Sequence, residues 1–201
     1  MAKLRVIKLG GSLFQLPDLA TRLVQWIEQQ APLPCLVIAG GGMFTDAVRQ
    51  LDQQRSLPTP ISHDLAMRSM GSSARLIASG LGSKCELISE IEKYQRVLKS
   101  VAEKHCQSGI FVCDIYEYWH QHFIDQYGNE LQLDWTLTSD SIAALLADFW
   151  EAEEFVLMKS CDCSSSHDYQ SWADAGMVDP QFPEVAKRLQ AIRWVNLARD
   201  A

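Results

Sequence analysis

Val6-Ile7-Lys8-Leu9-Gly10-Gly11-Ser12 is a short apolar run that ends in a Gly-Gly-Ser turn, with a lysine just ahead of the glycines. Such a run reads as a buried strand delivering a backbone loop suited to phosphate. Glycines let N–H groups converge where a Cβ would collide, and an ammonium beside them adds a compact positive charge. Leu36-Val37-Ile38 followed by Ala39-Gly40-Gly41-Gly42 repeats the arrangement. Two glycine-rich strand ends within forty residues imply two anionic or polar ligands held face to face. Three glycines in succession exceed the needs of a turn and point to close approach of backbone to ligand.

Outward from these loops, short apolar runs alternate with helical patterns, the rhythm of βαβ units around a mostly parallel sheet. Strands are expected at 3–9, 36–39, 85–89, 110–114, 155–158 and 192–197. Helices are expected at 18–30, 44–54 (Val48 and Leu51 inward), 62–79, 92–105, 137–150 and 185–189. In the 62–79 helix the inward candidates are Leu65, Met67, Met70 and Leu76. Residues 56–60 and 160–174 read as loops, Gly128-Asn129 as a turn, and 131–133 as a short extended piece. Thr138 or Ser139 is placed to cap the 137–150 helix. The fold class is therefore α/β, a three-layer αβα sandwich around an open sheet, with residues 1–201 as one domain.

Composition narrows the function classes. The chain is 47% hydrophobic and 21% charged, which suits a packed globular core. A net charge of −7 disfavours broad contact with nucleic acid, which needs a basic face. No segment has the length of a membrane span, and no signal-peptide core precedes Gly10, so a cytoplasmic location without membrane partners is expected. The six cysteines then read as reduced, mostly buried small hydrophobes.

Three motifs carry the chemistry: Lys8-x-Gly10-Gly11-Ser12, Gly40-Gly41-Gly42 opening a helix, and Leu137-Thr138-Ser139-Asp140-Ser141-Ile142-Ala143-Ala144 before an apolar strand. In order and spacing over residues 3–163 they resemble the amino acid kinase superfamily. The resemblance implies transfer of the γ-phosphoryl group of ATP, with Mg²⁺, to a hydroxyl, phosphate or carboxylate acceptor. It implies that Lys8 neutralises the transferred group, that Gly10, Gly11 and Ser12 grip it, and that Gly40, Gly41 and Gly42 hold the acceptor. Asp140 then orients catalytic lysines, Lys8 among them. Thr138, Ser139, Lys159 and Asp162 fall at nucleotide positions.

The segments 62–70 and 172–183 further resemble the small branch associated with methanofuran-type cofactor biosynthesis, whose members phosphorylate an aminomethylfuran methyl alcohol. That resemblance places His63, Asp64 and Met67 beside the acceptor, with His63 equally readable as a core or capping histidine. Superfamily members commonly dimerise, and the aromatic 116–123 segment is costly to leave in water, so a homodimer is expected.

One departure motivates a second hypothesis. Many relatives carry Thr-Asp or Thr-Lys and then Val-Asp-Gly-Val after the late strand, whereas this chain has Met158-Lys159-Ser160-Cys161-Asp162-Cys163. Lys159 superposes on the lysine of one version, and Lys187 is the other candidate for a second catalytic lysine. The Asp-Gly is lost or shifted, so a non-catalytic metabolite-binding protein that keeps the fold is the alternative. Cys161, Cys163 and His167 fall short of a zinc set without a second ligand pair, so no protein-bound metal is expected. His120 and His122 are poorly spaced for joint ligation. A dinucleotide-dependent oxidoreductase is disfavoured, because Gly-x-Gly-x-x-Gly is missing at any strand–helix junction.

Overall fold

The computed structural model describes residues 3–127, 131–163 and 168–199. Six strands form one sheet: β1 (Arg5–Leu9), β2 (Pro34–Ala39), β3 (Glu86–Ile88), β4 (Gly109–Cys113), β5 (Glu154–Lys159) and β6 (Ile192–Asn196). Their order is β3-β4-β2-β1-β5-β6, and every pairing is parallel. β1 and β2 are buried along their whole length, because helices cover both faces of the central strands. That is why they read as continuous apolar runs rather than as alternating ones.

The helices are α1 (Leu19–Glu28), α2 (Gly42–Arg55), α3 (Thr59–Leu81), α4 (Ile91–Ala102), α5 (Tyr116–Tyr118), α6 (Ile124–Tyr127), α7 (Ser139–Phe149), α8 (Tyr169–Asp174) and α9 (Phe182–Ala186). A single π-helical turn, Trp119–Phe123, joins α5 to α6. Strand alternation divides the core in two. Leu4, Val6, Phe155 and Leu157 pack with α4, α7 and α9 on one face. Ile7, Leu9, Val156 and Met158 pack with α1 and the C-terminal half of α3 on the other. The three-layer αβα sandwich follows directly.

Several local readings are corrected. Residues 131–133 form no strand, and 169–174 of the supposed loop are helical, begun by Asp168 accepting from the N–H groups of Gln170 and Ser171. The expected Gly128-Asn129 turn lies outside the described residues. No residue of α2 is buried: Val48 is only half-covered and Leu51 is half exposed, since the helix lies over α3 at the molecule's rim. Along α3, Met67 and Met70 point inward while Leu76 is exposed. The aromatic segment solves its own burial problem, with Tyr118, Trp119 and Phe123 in the core against Tyr94 and Trp150. Its aromaticity therefore supplies no argument for a partner surface.

Candidate active site

The period-2 alternation of strands decides where the lysines go. Lys8 shares the sheet face of Leu4 and Val6, and Lys159 that of Phe155 and Leu157, so both point toward α7. β1 and β5 are neighbours in register, and the first turn of α7 sets Asp140 between the two ammonium groups. Lys8 Nζ lies 2.7 Å from Asp140 Oδ1, and Lys159 Nζ lies 2.8 Å from the same oxygen and donates to Oδ2 at 2.9 Å. Lys159 also donates to the Met177 carbonyl at 2.7 Å. All three side chains are buried.

Two ammonium groups share one buried carboxylate beneath the glycine loops, and the buried Asp179 carboxylate lies near enough to act on Lys159 as well. Burial pushes the Lys159 ammonium down to about 8, and the nearby Lys8 charge adds to this. For Asp140, burial opposes ionisation, but the two lysines outweigh it and hold the carboxyl below its ordinary range. Lys187, the other candidate, lies exposed and paired with Glu184.

The glycine loops begin side by side because Leu9 pairs with Ala39. Gly10 N–H donates to the Met158 carbonyl and Gly40 N–H to the Leu9 carbonyl, both at 2.8 Å. A Cβ on Gly11 would stand 2.6 Å from Gly42 Cα, and one on Gly41 would fall 1.6 Å from the Thr45 hydroxyl. The side of these residues where a Cβ would stand is thus filled by neighbouring protein, a second reason for glycine here. Ser12 and Ser160 hydroxyls meet at 2.8 Å, tying the β1 loop to the end of β5.

Beside the loops opens a cavity of about 360 Å³ lined by Gly11, Ser12, Gly40, Gly41, Gly42, His63, Met67, Thr138 and Ser139, together with Phe14, Thr45, Asp46, Arg49, Met70 and Trp135. Met67 and His63 lie where expected on α3. Asp64 does not line it: its carboxylate accepts from Arg68 Nε at 2.8 Å and from the Tyr116 hydroxyl at 2.5 Å on the outer side of the helix. Thr138 and Ser139 line the same cavity. Asp162 is exposed at the far edge, held by Asn196 Nδ2 at 3.0 Å and Arg199 at 2.7 Å. Cys161 is exposed and Cys163 half-buried, while His167 lies outside the described residues.

Asp179 is a structural residue of the site that sequence reasoning missed. Neither Thr138 nor Ser139 caps α7 through its side chain. The Asp179 carboxylate does so from forty residues away, accepting from Thr138 N at 3.1 Å, Thr138 Oγ1 at 2.9 Å, Ser141 N at 3.0 Å and the Ser141 hydroxyl. The only signal was Asp179-Pro180 ahead of Phe182-Pro183, a turn-and-helix-start pattern with nothing to indicate its target. By satisfying the first N–H groups of α7, Asp179 sets the helix end that carries Asp140.

The comparisons agree with this architecture. The model of the amino acid kinase family matches residues 3–162. Among solved structures, the chain is similar to the uridylate kinase from Archaeoglobus fulgidus, with a TM-score of 0.59 and 14% identity over 93% of this chain and 88% of that one. It is similar to the UMP kinase from Ureaplasma parvum at a TM-score of 0.59 and 14% identity, covering 96% and 89%. The aspartate kinase from Synechocystis aligns at a TM-score of 0.54 and 15% identity, covering 95% of this chain and 38% of that one. No curated protein matches the sequence significantly.

Proposed function

Because this chain belongs to the amino acid kinase family, we propose that it is a kinase-type phosphotransferase that moves the γ-phosphoryl group of ATP to an oxygen of a small acceptor. The observation that carries the reading is the buried Lys8–Asp140–Lys159 triad under two abutting glycine loops. Phosphoryl transfer needs little covalent help from the protein; it needs positioning and stabilisation of charge on the passing group. The paired ammonium groups of the triad supply the second, in a site where low polarity strengthens them. Asp140 keeps both ammonium groups aimed, and the loop amides of Gly11 and of the start of α2 supply hydrogen bonds, the Gly10 N–H being already committed to the Met158 carbonyl. When bound with the nucleotide, Mg²⁺ would supply shielding of the phosphates' negative charge.

The cavity bears on the acceptor. Its lining carries one cation, Arg49, which is stacked over Trp135 at 4.9 Å, and two carboxylates, Asp46 and Asp134. Around them are Phe14, Met43, Met67, Met70 and Trp135. A nucleotide or dicarboxylate body would bring anionic charge into a lining that is itself net negative. A flat, apolar, amine-bearing molecule suits it, and an aminomethylfuran alcohol is the acceptor we propose.

The second reading, a metabolite-binding protein without turnover, is favoured by the missing Asp-Gly after Lys159 and by Asp162 being held in ion pairs at the rim. One experiment separates them. Calorimetric titration with Mg-ATP and a coupled ADP-release assay should show binding and acceptor-dependent turnover, lowered about 10²- to 10³-fold in Lys8→Ala. That variant leaves Asp140 paired with Lys159, so it should fold. Absence of Mg-ATP binding in the wild type, or undiminished turnover in the variant, overturns the kinase assignment.

A further inference from the structure

α2 begins at the heart of the site, yet it lacks what usually holds a helix start. It has no side-chain N-cap, no acidic residue in its first turn and no buried residue along its fourteen. Its first turn is held by two long backbone bonds, from Phe44 and Thr45 N–H to the Gly41 carbonyl at 3.2 and 3.4 Å, and by hydroxyls of α3. Ser69 and Ser73, one helical turn apart, face the glycine loop and are buried at 7% and 1% exposure. The Ser73 hydroxyl donates to the Gly41 carbonyl at 3.1 Å. The Ser69 hydroxyl donates to the Ala66 carbonyl at 2.6 Å and pairs with the Thr45 hydroxyl. Thr45 in turn fills the space that a Cβ on Gly41 would occupy.

The peptide plane converts this into direction. In a trans peptide the C=O and the following N–H point opposite ways. Holding the Gly41 carbonyl against α3 therefore keeps the Gly42 N–H turned away from α3. Gly42 has φ +53°, a backbone state that only glycine adopts without strain, so nothing in the residue itself selects this orientation. We propose that Ser73, supported by the Ser69–Thr45 hydroxyl pair, is a positioning residue that aims the Gly42 amide at the phosphate oxygens passing between the two glycine loops. This rests on the phosphotransferase reading above for the identity of the anion. The hydroxyls touch no substrate; they act through the loop.

The test is Ser73→Ala in the full chain, measured for thermal midpoint, for kcat and KM in ADP release, and for calorimetric affinity toward inorganic pyrophosphate. The expected result is a folded variant with kcat lowered about tenfold, KM for Mg-ATP within about twofold, and pyrophosphate affinity lowered about tenfold, the worth of one aligned hydrogen bond. If Ser73→Ala does not fold, Ser69→Ala reads the same brace one turn earlier and should shift the same quantities in the same direction. A folded variant with wild-type pyrophosphate affinity overturns the brace, whether or not the wild type turns over ATP. A wild type that binds pyrophosphate but releases no ADP removes the phosphotransferase reading and leaves the brace to the affinity difference. A wild type that binds no pyrophosphate overturns both.

Discussion

Lys159 carries the sharpest consequence at the scale of single residues. Its ammonium is held at about 8, against 10.5 in the open chain, first by burial and then by Lys8. Two effects of opposite sign follow. Between about pH 8 and 10.5 the unfolded chain binds the proton more tightly, so the stability cost of this lysine is relieved as pH rises through that window. Charge stabilisation of a phosphoryl group needs the protonated form, so kcat/KM should fall along a basic limb with an apparent pKa near 8. Lys159→Arg, which keeps its charge, should push that limb upward, and a pH–rate series in both proteins checks it. The lysine stands in the sequence as one more cation at a strand end. Its neighbour in space, Asp140, lies nineteen positions away across a helix, and only the parallel pairing of β1 with β5 brings Lys8 to the same carboxylate.

Among the elements, the two glycine loops behave as one unit. Gly11 and Gly42 approach so closely that a methyl on Gly11 would meet backbone, not a yielding side chain. Gly11→Ala should therefore prise the loops apart, costing about 1–3 kcal/mol of stability as overpacking commonly does. Pyrophosphate affinity should be lost with it. Chemical denaturation together with calorimetry tests both, and an alanine variant with wild-type affinity would show that the loops yield freely. The glycines themselves were legible, and so was their place at strand ends. Their reason was not, because a local pattern cannot say which backbone will lie against it. The same limit explains α7, whose cap is Asp179 rather than the adjacent Thr138, and α2, whose helical pattern gave no sign that it would lie at the rim with Leu51 half exposed.

At the scale of the whole molecule, α3 links the cavity to the aromatic part of the core through two imidazoles, one buried and one half-buried. His63, on α3, and His120, in the π-helical turn, lie 6.4 Å apart between ring centroids. Each ring has an Nε2 that is buried without a hydrogen-bond partner. Burial is the largest cause that keeps both below the ordinary histidine value of 6.5; His120 adds to it for His63, and Arg68 for His120. Asp64 opposes the shift for both rings, and Asp134 also for His63. With folded-state values depressed, the unfolded chain binds more protons as pH drops, so stability should decline as pH falls below about 6.5. His63→Gln and His120→Gln should each flatten that decline, measured by denaturant midpoints across the acid range; an unchanged slope in both would remove the histidines from the account.

By itself the sequence determined that the chain builds βαβ units, where the strands lie to within a residue or two, and the order in which Lys8, the two glycine loops and Asp140 follow one another. Those features are written in short apolar runs, in the 3.6-residue period of the helices and in residue types whose chemistry is local. Tertiary structure alone decided that β1 lies between β2 and β5, that Lys159 rather than Lys187 completes the triad, that Asp64 turns away from the cavity, and that hydroxyls of α3 hold the loop opening α2. Each of these depends on which surfaces bury one another across long stretches of chain. Such choices are settled by the packing of the whole core and leave no local pattern behind them.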